Sequence, residues 1–215
     1  MPSTSALARL LTVQLGGYAR AHQDTTDLSR IRIVDSAQPR RKNISNASNV
    51  FLIVEKLPVY AGSCRTMARG EIRDLEQAGI ILLLRSSSGL VLHVELSGAG
   101  KRLKVTRVST GAIAKDLKRA IQRTSKQFTA RSKGSELRIL RVAGMHVSAV
   151  WVHRSKERGG DAFVPYTPNF AGLRLGRTYK LHRIESLLKK HATYMILRWY
   201  DRYEKSLAPL KSQRR

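Results

Sequence analysis

Few residues in this 215-residue chain have the type and spacing to do chemistry. Gly98-Ala-Gly100-Lys101 carries the glycines and lysine of a phosphate-cradling loop. A P-loop, however, needs a glycine where Glu95 stands and a Ser or Thr where Arg102 stands. The segment therefore reads as a hairpin turn whose glycines supply positive φ. Six histidines, His22, His93, His146, His153, His182 and His191, include no HxH or HxxxH pair, and no metal site is expected. His146 and His153 read as members of one strand, where their odd separation sends them to opposite faces. Glu71, Asp74 and Glu76 form an acidic cluster, but Arg69 and Arg73 interleave with it and make it a salt-bridged helix surface. Cys64 is the single cysteine and can form no internal disulfide. No Gly-x-Ser-x-Gly elbow is present to activate a serine. His93 and Glu95 lie two apart on an expected strand and share a face, so they are the one candidate acid–base pair. A solvated cross-strand pair is the ordinary alternative. No catalytic residue and no cofactor is assigned.

What the chain has in excess is positive charge: 40 Lys plus Arg against 15 Asp plus Glu, a net +25. Residues 101–215 carry 28 of the basic and seven of the acidic side chains. Such an excess repels itself in a compact state and attracts polyanions. Its densest expression is Lys115, Lys118, Arg119, Arg123 and Lys126, five cations on one expected helix with only Asp116 against them. Lys101, Arg102, Lys104 and Arg107 precede that helix, and Arg131, Lys133, Arg138 and Arg141 follow it. The nine residues from Lys101 to Lys126 are the candidate polyanion-binding set, and one continuous positive surface is expected of them. Affinity would come from phosphate contacts without strong sequence readout. No strand carries the aromatic pattern that stacks single-stranded bases. Tyr194, Trp199, Tyr200 and Tyr203 have helical spacing, which suits packing better than base stacking. The expected function is thus a non-enzymatic binder of nucleic acid or another polyanion. One alternative is an assembly protein whose basic face meets an acidic protein partner. Another is an enzyme with its site near His93 and Glu95.

The elements that must position these residues are legible from periodicity and turn signals. Ile31–Val34 and Val50–Val54 are β-branched and read as short strands. Thr66–Ala78 reads as a helix bearing Met67, Ile72 and Leu75 and closed by Gly79. Ile80–Arg85, Leu90–Leu96 and Arg102–Val108 are strand-like runs separated by Ser-Ser-Ser-Gly and Ser-Gly-Ala-Gly-Lys turns. Connections this short favour an antiparallel meander. In the middle strand Leu90, Leu92, Val94 and Leu96 share a core face, while Val91, His93 and Glu95 are expected on a face at least partly wet. The third strand is polar and suits an edge. Ala112–Phe128 reads as a helix with one apolar stripe through Ile113, Leu117, Ala120, Ile121, Thr124 and Phe128. Leu137–Val142 and Val147–His153 form a hairpin, and Ala162–Pro165 adds a short strand. A last helix, His182–Leu207, carries a stripe of Ile184, Leu187, Leu188, His191, Met195, Trp199 and Tyr203, and Pro209 ends it.

The expected class is α+β. It has an antiparallel sheet of roughly five to seven strands, built from a meander at 80–108 and a hairpin at 137–153. Two main helices, at about 112–128 and 182–207, are expected on one face. Residues 1–35 read as an N-terminal helix and first strand, 36–49 as a basic polar loop, 50–208 as the main domain and 209–215 as a basic tail. No apolar run is long enough for a membrane span. A lone cysteine and the absence of a span suit an intracellular, cytoplasmic setting. The Arg-containing, acid-poor N-terminus is compatible with organelle targeting but lacks a cleavage signal.

Overall fold

The structure is a computed structural model, and it describes residues 7–15, 32–35, 50–70, 72–86, 89–98, 102–128, 135–154 and 160–212. The expectations for the loop at 36–49, for Lys101, Arg131 and Lys133, and for the last three residues lie outside these. The chain divides into two compact units. The first comprises residues 1–59 and 77–122, the second residues 60–76 and 123–215. The fold is mixed α+β, with mostly antiparallel strand pairing and four α-helices among the described residues.

The first unit contains α1 (residues 7–15), β1 (Arg32–Asp35), most of β2 (Val50–Gly62), β3 (Gln77–Ser86), β4 (Val91–Ser97), β5 (Lys104–Ser109) and the first turns of α3 (Ala112–Phe128). The strand order is β5-β4-β3-β2, and β1 pairs in parallel with β2. The meander is as expected, and β5 is an edge. The run Ile80–Leu84 is buried without a break, because both faces of β3 are covered. On one face Ile80, Leu82, Leu84, Leu92, Val94 and Leu96 pack with Leu7, Leu11 and Leu15 of α1. Against the other face, Ile121 of α3 comes close to Leu83 and Val91. The expected half-wet face is therefore a correction: His93 is 1 % and Glu95 9 % exposed. The helix α1 adds a layer that the two main helices did not include, on the face opposite α3. Alternation alone could not reveal this, because a second helix can cover polar as well as apolar side chains. At the edge, the side chain of Gln14 donates to the Leu103 carbonyl at 3.1 Å and accepts from the Val105 N–H at 2.7 Å. The groups an edge strand leaves open are thus partly closed by α1.

The second unit contains α2 (Cys64–Arg69), β6 (Ser135–Val142), β7 (Val147–Arg154), β8 (Ala162–Pro165), β9 (Tyr179–Lys180) and α4 (Leu181–Ser212), with β6 to β9 antiparallel in sequence order. Its core joins Met67, Trp151, Phe163, Ile184, Leu188 and Ala192. The helix expected over Thr66–Ala78 is much shorter. Ser63 caps it by accepting the Thr66 N–H at 3.1 Å, and Gly70 at φ 81° closes it. Ile72 and Leu75 are still buried, but from a turn. Tyr179–Lys180 adds a strand too short for periodicity to register, and nine strands stand among the described residues against the expected five to seven. His146 sits outside the strand, at φ 54° after a 3-10 turn, so the argument from strand parity does not apply to it. Helix α4 runs past Pro209 to Ser212, and the proline falls in its final turn. Along its stripe Ile184 and Leu188 are buried, Leu187, His191 and Met195 are half-buried, and Trp199 is exposed. No described helix is long and apolar enough to cross a membrane.

Candidate polyanion-binding surfaces

The cations of β5 reach a common side through a bulge. Arg107 pairs with Glu95 and Lys104 with Ser97, while the register slips by one residue between Glu95 and Leu96. Thr106 is the extra residue, and its hydroxyl donates to the Glu95 carbonyl at 3.3 Å. Strict alternation would put Lys104 and Arg107 on opposite faces. The bulge puts both on the face of His93 and Glu95, the one that α3 covers. Arg102, Lys104 and Arg107 are all exposed.

On α3 the buried residues are Ala114, Leu117, Ala120, Ile121 and Thr124, close to the stripe read from the sequence. Burying that stripe turns the cations outward. Lys115, Lys118 and Arg119 then line one concavity of about 340 Å³ in the first unit. Its other walls include Gly89, Leu90, Val91 and Gln122. Arg119 is partly neutralised by Asp116, with Nη1 3.3 Å from the carboxylate one turn away. Beside this concavity a smaller one of about 110 Å³ is lined by Glu55, Arg85, Lys118 and Ile121. Burial there pushes the Glu55 carboxyl above its ordinary value of 4.5.

The remaining members of the sequence-derived set divide differently. Arg123 and Lys126 are exposed but belong to the second unit. The Arg123 guanidinium lies against Gly176, where a Cβ would strike it. Arg138, counted as a supporting cation, is committed elsewhere. It donates to Glu136 at 2.6 and 2.8 Å and stacks 4.6 Å from the Tyr60 ring centroid.

His93 and Glu95 do converge. Nε2 of His93 is 3.7 Å from Oε1 of Glu95, and Nδ1 is 3.0 Å from the Ser109 hydroxyl. Ser109 is the direct cross-strand partner of His93, so sheet geometry alone brings the three together. The arrangement could pass a proton, but an imidazole exposed to 1 % offers a substrate no approach.

Two clusters were missed by the sequence reading, and both are in the second unit. The first centres on Asp161, whose side chain is fully buried. Its carboxylate accepts the Trp151 indole N–H at 3.2 Å and the Arg154 backbone N–H at 3.0 Å, with Arg73 and His153 each 3.4 Å away. Arg73, which the sequence sets among Glu71, Asp74 and Glu76, reaches Asp161. The neighbouring Glu185 carboxyl is raised, first by burial and then by Asp161, against the opposing pull of Arg73 and His182. The second cluster is a cationic concavity of about 370 Å³ lined by Arg174, Arg177, Lys180, His182 and Arg183. Nothing in a 3.6- or 2-residue period draws these five together.

No protein-family model matches this chain, and neither a curated protein nor a solved structure shows a significant match to it.

Proposed function

We propose that the protein is a non-enzymatic nucleic-acid-binding protein that holds phosphates on the β5–α3 side of its first unit. Lys115, Lys118 and Arg119 are the central contacts, with Arg102, Lys104 and Arg107 extending the surface. The observation that carries this reading is the convergence of three α3 cations on one concavity, with Asp116 the only acid paired to any of them among the described residues. The reading rests also on the +25 charge, which steers any polyanion toward the chain.

Each phosphate contact releases condensed counterion, so affinity for duplex should fall linearly in log–log form with salt. Reversing Lys115, Lys118 and Arg119 to Glu should weaken binding to every sequence alike and lower the duplex salt slope by about 3 units. The measurement is a salt titration of wild type and triple variant on a generic duplex and a generic single strand. Wild-type protein that binds neither at low salt would overturn the reading, and the surface would then belong to an acidic protein partner.

A further inference from the structure

We propose that the concavity formed by Arg174, Arg177, Lys180, His182 and Arg183 in the second unit is a binding site for a phosphate group. The inference is independent of the β5–α3 reading, since it rests on different residues in the other unit.

One continuous segment, residues 172–187, lines the site, and contacts along it hold it in place. The loop after β8 is clamped by Asn169, whose amide donates to the Thr167 and Leu173 carbonyls and accepts the Leu173 N–H at 3.0 Å. Ala171 and Leu173 are buried beneath it. The turn that follows carries Arg174 and Arg177. Gly176 between them has φ 69°, and its N–H donates to the Pro165 carbonyl at 2.8 Å. A side chain there would be strained and would meet the Arg123 guanidinium. Tyr179 of β9 then ties the turn down: its hydroxyl accepts the Arg174 N–H at 2.9 Å, and its ring lies under Arg177. Lys180, His182 and Arg183 enter from β9 and the first turn of α4.

Among the described residues, none of the five has a carboxylate within ion-pair distance. Glu185, about one turn along α4 from His182, feels that histidine, and also Arg73 and Asp161. The arrangement also runs against helix electrostatics. The start of a helix carries partial positive charge and favours acids, yet α4 has no acid in its first turn and basic residues in and beside it. A bound anion relieves both repulsions.

The chemistry of the walls selects the ligand class. Arg174, Arg177, Lys180 and Arg183 are four permanent charges, so a single carboxylate would leave most of them uncompensated. Guanidinium forks match the paired oxygens of a phosphate. No aromatic face is offered for a base, because the Tyr179 ring is buried and covered by Arg177. The site therefore reads the phosphate and not what is attached to it.

The test uses full-length protein at constant ionic strength, with calorimetric titration of inorganic phosphate, pyrophosphate, and one oligonucleotide with and without a 5′-phosphate. Saturable one-to-one pyrophosphate binding is expected. It should weaken about tenfold or more in each of two variants, Arg174→Gln/Arg177→Gln and Lys180→Gln/Arg183→Gln, and be unchanged when Lys115, Lys118 and Arg119 are reversed. A preference for the phosphorylated oligonucleotide would name a nucleic-acid end as the source. Equal affinity for both oligonucleotides, with pyrophosphate still bound, would name a free phosphate compound. If either variant fails to fold, protection of Arg174 and Arg183 from dicarbonyl modification by pyrophosphate in the wild type replaces it. Absence of saturable binding, or binding lost equally in the α3 variant, overturns the proposal.

Discussion

The two basic hollows of this protein are built in contrasting ways. In the first unit, one regular helix presents Lys115, Lys118 and Arg119 at spacings of three and four, beside an apolar wall of Leu90 and Val91. In the second, a loop, a two-residue strand and a helix start bring five cations around a polar hollow. The first kind of site follows from amphipathicity: once Leu117 and Ile121 are buried, the cations have only the outer face to occupy. The second depends on tertiary closure, with Asn169, Gly176 and Tyr179 each holding one part of the loop. A helix face should thus tolerate substitution of its cations with little loss of stability, whereas the loop site should be sensitive to its supports.

The largest expected effect tests how far the second unit depends on polar closure. Asp161→Ala leaves Arg73, His153 and the Trp151 indole without their shared acceptor in a buried setting. Arg73 and His153 are 37 % and 21 % exposed and regain water, so the loss comes mainly from the indole and the Arg154 backbone N–H left unsatisfied, at about 1–3 kcal/mol each. Urea denaturation followed by Trp151 fluorescence should show this loss, and an unchanged midpoint would remove Asp161 from the supports of that unit. The matching break in the first unit is Leu117→Ala. Leu117 is fully buried, and truncation should cost about 2–5 kcal/mol through lost transfer energy and the residual cavity. Thermal melts that do not move would mean that α3 is not held by its stripe.

This contrast also explains what was legible in the sequence. Helix α3 begins and ends where its apolar spacing places it, at Ala112 and Phe128, and the meander follows its turn residues. Both signals are local. The strand order, the parallel β1–β2 pair and the covering of His93 by a second helix layer are not local, so no window of residues contained them. Gly70 was overlooked as a helix stop because Ile72 and Leu75 continued an apolar spacing, though from a turn. The bulge at Thr106 escaped notice because its sequence reads as plain alternation. The candidate set on β5 and α3 was found through charge density at helical spacing. Arg174, Arg177, Lys180 and Arg183 stand three apart within ten residues, but no apolar stripe accompanies them to show that they share a side. Asp161 carried one usable signal: it is the lone acid between Glu157 and Glu185 in a very basic stretch.

A smaller effect separates scaffold from charge within the loop site. Tyr179→Phe keeps the ring beneath Arg177 and removes the acceptor for the Arg174 N–H. One hydrogen bond of this kind is worth about 1 kcal/mol. The expected outcome is a slight fall in melting temperature with a clear fall in pyrophosphate affinity, while duplex binding through the α3 face is unaltered. If both affinities fell together, the two hollows would not be the independent sites their construction implies.

The smallest effect lies beside the first hollow and is a matter of pH. Glu55 lines the small cavity with Arg85 and Lys118, and burial raises its carboxyl above 4.5. A raised carboxyl means that the folded state holds its proton to higher pH than the unfolded chain does. Between the two values the folded state binds more protons, so stability falls as pH rises through that window and stays lower above it. Below the unfolded value both states are protonated, and the penalty vanishes. Glu55→Gln removes the ionisation while keeping the shape. The variant should therefore be more stable than wild type at neutral pH and equal to it below about pH 4. Urea midpoints at the two pH values supply the check. A variant less stable than wild type at neutral pH would mean that Arg85 and Lys118 hold the Glu55 carboxylate more strongly than burial opposes it. The first hollow would then be a balanced ion network, and its cations would be less available to phosphate than those of the second.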